Sequence, residues 1–252
     1  MILKTDAIVL KSFDFRETSR IVTFFSRDHG KVKGIFKGIR KDPRKFRSHV
    51  DRYSVNEIIF YHSLRSEIHL VSHCDLKDDI FSLRENYKLN VAAHYALELV
   101  DRIMPVEQSN VNVYQLMLDY LGSLKELIGS PDPLKIDKLV HIFQIKVLLY
   151  SGFRPHLDAC VRCQRKISGK VRFSLASGGL ICVECPTTET AFTLISKGAV
   201  ASILHIEQND WPTCLMLELT TPIKQELKYT LNNFLVYHLE QNIRSSKYLA
   251  TR

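Results

Sequence analysis

The sequence lacks the short motifs that mark the common nucleotide-dependent and hydrolytic enzymes. It contains no G-x-x-x-x-G-K-[ST] phosphate loop, no G-x-G-x-x-G dinucleotide turn, no H-E-x-x-H helix and no G-x-S-x-G elbow. The acidic residues are scattered, without the cluster that would hold the metal of a nuclease. We therefore expect a protein that is not an enzyme and has no small-molecule substrate.

Long apolar runs and targeting signals are missing as well. No stretch approaches the roughly 18–20 apolar residues that cross a bilayer. The opening MILKTDAIVLK is too short and too soon charged for a secretory signal. These absences predict a cytoplasmic protein without a membrane partner. In that compartment the six cysteines are expected to stay reduced, so closely paired ones indicate metal binding.

The excess of positive over negative charge is confined to the first fifth of the chain. Residues 1–52 hold 14 Lys and Arg against six Asp and Glu, whereas residues 53–252 hold 21 of each sign. The net charge of +8 therefore belongs to the N-terminal part, and nine basic residues fall within 30–52. A charge this local predicts a surface for a polyanion such as DNA. The alternative is a solvated run of charge without a ligand.

The spacing inside this basic stretch predicts a cationic strand face. If 30–38 is a strand, its lysines share one face, and Val32 and Phe36 share the other, because side chains alternate. The polar loop over 38–48 adds further cations. Phe36 and Phe46 are candidate stacking platforms for bases, with the hydrophobic core as the alternative. The predicted DNA-binding residues are Lys31, Lys33, Lys37, Arg40, Lys41, Arg44, Lys45 and Arg47.

Residues 1–80 have the pattern of β structure. Segments rich in Val, Ile and Phe predict strands at 6–11, 19–27, 30–38, 49–62 and 67–75. Five short strands fit the OB-fold, a five-stranded barrel that commonly binds nucleic acids. An SH3-like barrel or half of a sandwich fits the pattern nearly as well.

Beyond residue 80 the apolar residues recur at helical spacing. We predict helices over about 83–103, 111–128, 134–151 and 194–207, and a last helix with Thr221 as its N-cap and Pro222 in its first turn. The predicted fold is α+β and multidomain: an OB-fold DNA-binding domain over 1–80, followed by an all-α helical domain over 81–252. A zinc-ribbon-like insertion at about 153–189 interrupts the helical pattern.

Four cysteines in that insertion form two C-x2-C pairs. Cys160 and Cys163 are separated from Cys182 and Cys185 by 18 residues. This spacing is typical of a site in which four cysteines hold one zinc ion. Disulfides, or a ribbon that has lost its metal, are the alternatives. Four thiolates leave no open position for water, so we expect a structural zinc rather than a catalytic one. Nearby cations (Arg154, Arg162, Arg165, Lys166, Lys170 and Arg172) predict a second, weaker basic surface.

Several separated segments resemble the RecO family of bacterial recombination mediators. They are TDAIVLKSFDFRETSRIVTFFSRDHGKVKGIFKGIRK at the start, then GFRPHLDACVRC, FSLASGGLICVEC and YHLEQNIRSSKYL. The resemblance spans nearly the whole chain. It implies an N-terminal OB-fold, a helical domain with a zinc element, and a DNA-repair protein without enzymatic activity. Members bind single- and double-stranded DNA, anneal complementary strands, and with RecR help RecA to displace single-strand-binding protein (SSB).

The resemblance places the DNA surface on the basic residues from Lys31 to Arg47 and the zinc on the four cysteines. It places neither the RecR contact nor the SSB contact on particular residues. A protein-interaction scaffold, whose basic patch meets acidic partners, is the second hypothesis. A zinc-dependent enzyme acting on nucleic acid is the third, and the closed four-thiolate site argues against it.

Overall fold

The computed structural model describes residues 1–42, 46, 50–167, 171–186 and 192–250. The chain forms two compact units, Met1–Pro131 and Asp132–Arg252. Three of the predicted DNA-binding residues, Arg44, Lys45 and Arg47, lie outside the described residues. Within the described part of the chain, no helix combines the length and the hydropathy that crossing a membrane requires.

The first unit contains a closed five-stranded barrel. Its strands are β1 (Ile2–Phe15), β2 (Ser19–Ser26), β3 (Gly30–Phe36), β4 (Ser54–Tyr61) and β5 (Ile68–Asp79). They pair in the order β1-β2-β3-β5-β4, and β4 returns to β1 to close the barrel. Only the β3–β5 pair is parallel. This order is that of the OB-fold, so the predicted OB-fold is confirmed over the two alternatives.

Alternation of side chains fills the interior of this barrel. Val22, Phe24, Val32 and Phe36 point inward from β2 and β3 into one buried cluster, and the rings of Phe24 and Phe36 lie 6.0 Å apart. Gly34 lies between Val32 and Phe36 in β3, and a Cβ atom there would approach a methyl of Val71 to 2.5 Å. The same alternation turns the lysines of β3 outward, as the sequence pattern predicts.

Two helices complete the first unit. After a 3-10 turn at Phe81–Glu85, α1 runs over Tyr87–Ile103 and α2 over Val111–Glu126. Asparagine side chains cap both helices by accepting backbone N–H bonds. The Tyr120 hydroxyl of α2 donates to the Ala92 carbonyl of α1 at 3.0 Å. The predicted domain boundary at residue 80 follows the last barrel strand and stays a prediction.

The connection between α1 and α2 lies along the start of β3. Val106 forms a parallel bridge with Lys31, and the Glu107 N–H donates to the Lys31 carbonyl at 3.1 Å. Gly30, with a φ of 64°, makes this approach possible, because a Cβ there would lie 2.1 Å from the Gln108 carbonyl oxygen. The segment Val106–Glu107 therefore pairs with β3 ahead of the point where β5 begins to do so.

The second unit combines helices with a small sheet. Its elements are α3 (Pro133–Tyr150), β6 (Val171–Ser174), β7 (Gly179–Cys182), β8 (Phe192–Ile195), α4 (Lys197–Gln208), α5 (Trp211–Met216) and α6 (Thr221–Leu239), followed by a 3-10 turn at Arg244–Ala250. The sheet has the order β7-β6-β8 with antiparallel pairs. In α3, Pro133 occupies the first turn and the Asp132 side chain caps the N-terminus.

Two expectations for this unit were wrong in detail, and one short helix was missed. The helix predicted to begin near residue 194 begins at Lys197, because Ser196 caps it and the preceding Phe192–Ile195 pairs with β6. The short helix α5 was not predicted. The N-cap of α6 is Thr220 rather than Thr221, since Pro222 fixes the first helical turn one residue earlier.

Candidate nucleic-acid interface and metal site

The four predicted cysteine ligands converge in the second unit. All four sulfur atoms lie within 4.8 Å of one another. The Sγ atoms of Cys160 and Cys185 are 3.9 Å apart, and those of Cys163 and Cys182 are 3.8 Å apart. Tetrahedral zinc with Zn–S bonds of about 2.3 Å requires sulfur atoms about 3.8 Å apart. The cysteines are free rather than disulfide-bonded, and their spacing fits one tetrahedral metal ion.

Backbone hydrogen bonds shape the two cysteine turns. In the first, the Gln164 N–H donates to the Cys160 carbonyl at 2.9 Å, and the Cys160 N–H donates to the Arg165 carbonyl at 3.0 Å. The Cys182 N–H, at the end of β7, points at the Cys160 sulfur over 3.4 Å. The β6–β7 hairpin therefore delivers the second pair of sulfurs to the first.

Arg172 of β6 braces the second cysteine turn. Its Nη2 atom lies 3.1–3.2 Å from the carbonyl oxygens of Cys182, Val183 and Cys185. This guanidinium closes the turn and places a positive charge beside the four cysteines. Arg172 and Arg154 are engaged within the unit, whereas Arg162, Arg165 and Lys166 are exposed, and the second cationic surface stays a prediction.

Two of these arginines form ion pairs within the second unit. Arg154 Nε lies 2.9 Å from the carboxylate of Glu207, and Arg165 lies 3.5 Å from Glu184. The Arg162 side chain donates to the Pro186 carbonyl at 2.7 Å. Lys170 lies outside the described residues.

The thiol chemistry of the cluster suits a metal. Burial raises the pKa of the Cys160 thiol, but backbone N–H groups of Cys163, Cys182 and Arg162 outweigh burial and lower that pKa to about 6. Hydrogen bonds shared with Cys182, Cys163 and Cys160 raise the pKa of Cys185 to about 12. A metal ion would displace the protons that remain, because only thiolates bind it. With four sulfur ligands, such an ion would brace the fold and leave no position for a reacting water.

The basic stretch, by contrast, does not stay together as one surface. Lys31 is built into the packing of the first unit: its side chain is only 13% exposed, and its Nζ donates to the Asp101 carbonyl at 2.6 Å. The Asp101 carboxylate lies 3.6 Å from the same ammonium group and also pairs with Lys11. Burial lowers the pKa of Lys31 against the opposing effect of Asp101. Lys31 therefore offers little charge to a ligand.

Four other predicted cations lie further along, at the outer surface. Lys33 pairs with Glu67 at 2.9 Å, but the Glu67 side chain is 76% exposed, and ion pairs this exposed are weak. Lys37, Arg40 and Lys41 follow β3 and are exposed. A left-handed turn at Gly38, with a φ of 79°, shapes this loop, and the Lys41 N–H donates back to the Gly38 carbonyl.

Arg40 ties this loop to the β1–β2 connection. Its backbone N–H donates to the Thr18 carbonyl, and its Nη1 donates to the Arg16 carbonyl, both at 3.0 Å. Arg40 Nε also lies 3.4 Å from Asp14, which Arg20 approaches to 3.2 Å. The sequence argument missed Arg16 and Arg20, although both contribute to the N-terminal charge. Arg16 lies in the first barrel loop and Arg20 at the start of β2, and this position was the available signal, since that loop borders the binding face of OB-folds.

The two candidate stacking residues are part of the core. Phe36 is fully buried and Phe46 is 5% exposed, and their rings meet edge to face at 4.9 Å. Neither ring is available to a base, so the stacking interpretation was wrong for both. The alternation of β3 that turns its lysines outward is what turns Phe36 inward.

A second group of ligand-type side chains joins the β4–β5 loop to the α1–α2 connection. His62 and His69 direct their Nε2 atoms at one carboxylate oxygen of Glu107, at 3.5 and 2.9 Å. The Nδ1 atom of His69 accepts the Ser63 N–H at 3.2 Å, so the Nε2 atom of the neutral ring carries the proton. A metal ligand needs the opposite arrangement. This group is therefore better described as a hydrogen-bonded tie than as a metal site.

The fold and these sites define a class: an OB-fold unit with a basic surface, followed by a helical unit with a four-cysteine cluster. Two family models match the chain, recombination protein O N terminal over residues 1–79 and recombination protein O C terminal over residues 84–247. The chain belongs to this family of DNA repair proteins.

Similar curated proteins carry the name DNA repair protein RecO. The one from Moorella thermoacetica is 29% identical over 98% of this chain and 90% of its own length. Those from Caldicellulosiruptor saccharolyticus and Desulforamulus reducens are each 28% identical, over 96% and 98% of this chain and 95% and 94% of their own lengths.

Proposed function

We propose that this protein is a non-enzymatic recombination mediator of the cytoplasm that works at the nucleoid. It binds single- and double-stranded DNA, anneals complementary strands, and with RecR helps to load RecA on single strands covered by SSB. The observation that carries the proposal is the set of exposed cations in the loop after β3, Lys37, Arg40 and Lys41, with the partly exposed Lys33 of β3, in a chain of the RecO family.

The physical basis of annealing is neutralisation of phosphate. Two complementary strands repel each other, and cations that replace their condensed counterions lower that repulsion. Lys33 can exchange the exposed Glu67 carboxylate for a phosphate at little cost. Contact with about five phosphates would give a slope near −3.5 when log K for single strands is plotted against log salt concentration.

We propose that the four cysteines hold a single structural zinc ion. The support is the tetrahedral spacing of their sulfur atoms, 3.8 and 3.9 Å for the two pairs that contact each other. Metal analysis of the purified protein should find one zinc per chain. Its absence, or iron in its place, would contradict the proposal.

The annealing proposal is tested with fluorescently labelled complementary oligonucleotides at two salt concentrations. We expect Lys37→Ala, Arg40→Ala and Lys41→Ala together to abolish accelerated annealing while RecR binding is retained. The matched control replaces Lys135, Lys197 and Lys247, three exposed lysines of the second unit, and changes the charge by the same amount. Unchanged annealing in the first variant would contradict the proposed surface. Incubation with DNA and Mg²⁺ should leave the DNA uncut.

A further inference from the structure

A concave cleft lies at the end of the barrel, beside the loop that carries Arg40. It has a volume of about 540 Å³ and is formed by the end of β1, the residues that precede β4, and the chain that enters α1. Ser12, Phe13, Arg20, Arg52 and Arg84 contribute to its lining. Asp14, which also lines it, contacts Arg40, so the cleft adjoins the cations of the proposed DNA surface.

Two arginines of the cleft retain charge for a ligand. The two carboxylates of the lining already form ion pairs, because Arg20 lies 3.2 Å from Asp14 and 3.7 Å from Asp51. Among the residues that the structure describes, no carboxylate pairs with Arg52 or Arg84. Arg84 is nevertheless held in place: its Nη2 donates to the Arg52 carbonyl at 3.1 Å, and its guanidinium lies 4.2 Å from the centre of the Phe81 ring.

The cleft also offers an exposed aromatic ring. Phe13 of β1 is 50% exposed, whereas the apolar residues Ala7, Ile8, Val9 and Leu10 of the same strand are buried. An exposed aromatic ring beside guanidinium groups suits a nucleotide, because its base stacks while its phosphate pairs with charge.

We propose that this cleft binds one unpaired nucleotide of single-stranded DNA, with the base against Phe13 and a phosphate at Arg52 and Arg84. The inference rests on the proposed function and adds the kind of strand that this subsite accepts. In a duplex both faces of a base are covered by its neighbours, so Phe13 is able to reach only an unpaired base. The cations of the loop after β3 contact phosphates of either form, whereas the cleft distinguishes single strands.

The test compares two variants on single strands, duplexes and single strands with abasic sites. For Phe13→Ala we expect about fivefold or greater loss of single-strand affinity, the lower end of measured base–aromatic stacking, and unchanged duplex affinity. Abasic substitution should weaken binding of the unaltered protein but not of Phe13→Ala. Arg52→Ala should weaken single-strand binding with or without the base. Phe192→Ala, which removes an exposed phenylalanine of the second unit, is the matched control.

The outcomes separate this inference from the broader proposal. Equal losses on single strands and duplexes, or no loss with Phe13→Ala, would overturn the nucleotide subsite even if the Lys37, Arg40 and Lys41 variant loses binding. Retained binding by that triple variant together with the expected Phe13→Ala effect would instead refute the proposed surface and keep the subsite. Phe13 and Arg52 are exposed, so both variants should fold, and a thermal melt checks this.

Discussion

The cysteine cluster and the basic stretch were both predicted from short sequence patterns, but the fold treats them differently. The four cysteines come from two turns about 20 residues apart and meet within 4.8 Å. The lysines of β3 stand two residues apart, yet Lys31 is 13% exposed and held by Asp101, while Lys33 keeps 36% of its side chain exposed. A short sequence pattern was enough to bring the four cysteines together, but it did not keep the basic stretch together as one exposed surface.

The difference follows from how far apart along the chain the interacting residues lie. Sulfur ligands are useful only when they converge, and a hairpin and two tight turns accomplish this locally. A cation on a strand is useful only when nothing covers it, and the cover for Lys31 is α1, which the chain supplies 70 residues later. A metal site is thus a local property of the sequence, whereas a binding surface is a property of the whole fold.

The largest effect is expected at the cluster. Cys182→Ser removes one of four sulfur ligands, and we expect loss of bound zinc and a fall in melting temperature of about 10 °C, because a structural metal stabilises the element around it. Elemental analysis and a thermal melt measure both. Cys214→Ser, a change at a buried cysteine outside the cluster, should keep the metal. Full zinc content in Cys182→Ser would show that the cluster is not the site.

At the basic surface we expect a binding effect of similar importance but no loss of fold. Replacing Lys37, Arg40 and Lys41 by Ala should weaken single-strand binding about 100-fold at 0.1 M salt, since each lost phosphate contact reduces the salt slope by about 0.7. Fluorescence anisotropy over a range of salt concentrations measures the slope. The triple variant of Lys135, Lys197 and Lys247 should keep the original slope. An equal change of slope in that control would mean that the loss reflects total charge and not the proposed surface.

Acid should destabilise the second unit through His141. Burial, followed by the nearby Lys228 and Lys224, lowers the pKa of His141 in the second unit to about 4. The unfolded chain binds this proton near pH 6.5, so stability from the neutral ring is present above that pH and is lost as pH falls toward 4. Between pH 7 and pH 5 we expect a loss of about 2 kcal/mol. Urea unfolding of His141→Gln should show a smaller loss, and an identical loss would contradict the assignment.

The smallest effects on stability are expected from single substitutions of Lys31 and Lys33. Lys31→Met should lower the free energy of unfolding by about 1 kcal/mol, because it removes the donor to the Asp101 carbonyl, and should leave DNA affinity unchanged. Lys33→Met should change stability by less than about 0.5 kcal/mol and weaken DNA binding. Urea titration and anisotropy measure both quantities. The reverse result would place Lys31 in the interface.

Prediction from sequence succeeded where the signal is local. All five strands form, although β1 is longer and β4 starts later than predicted. The first three helices lie close to their predicted positions and the four cysteines converge, since alternation, helical period and C-x2-C spacing report directly on the backbone. It failed where distant residues decide. Phe46 stands among polar neighbours in the sequence, yet it packs on Phe36 in the barrel. The cleft around Phe13 and Arg84 joins residues that are 71 positions apart, so no local sequence pattern predicts it.

The short pairing of Val106–Glu107 with the start of β3 has a consequence for solubility. Without it, β3 would present free carbonyl and amide groups where β5 does not reach, and such open strand edges recruit strands from other molecules. The Lys31 carbonyl is instead occupied by the Glu107 N–H, and Gly30 allows the close contact. A side chain at Gly30 would push this cover away, so self-association would increase before the barrel itself failed.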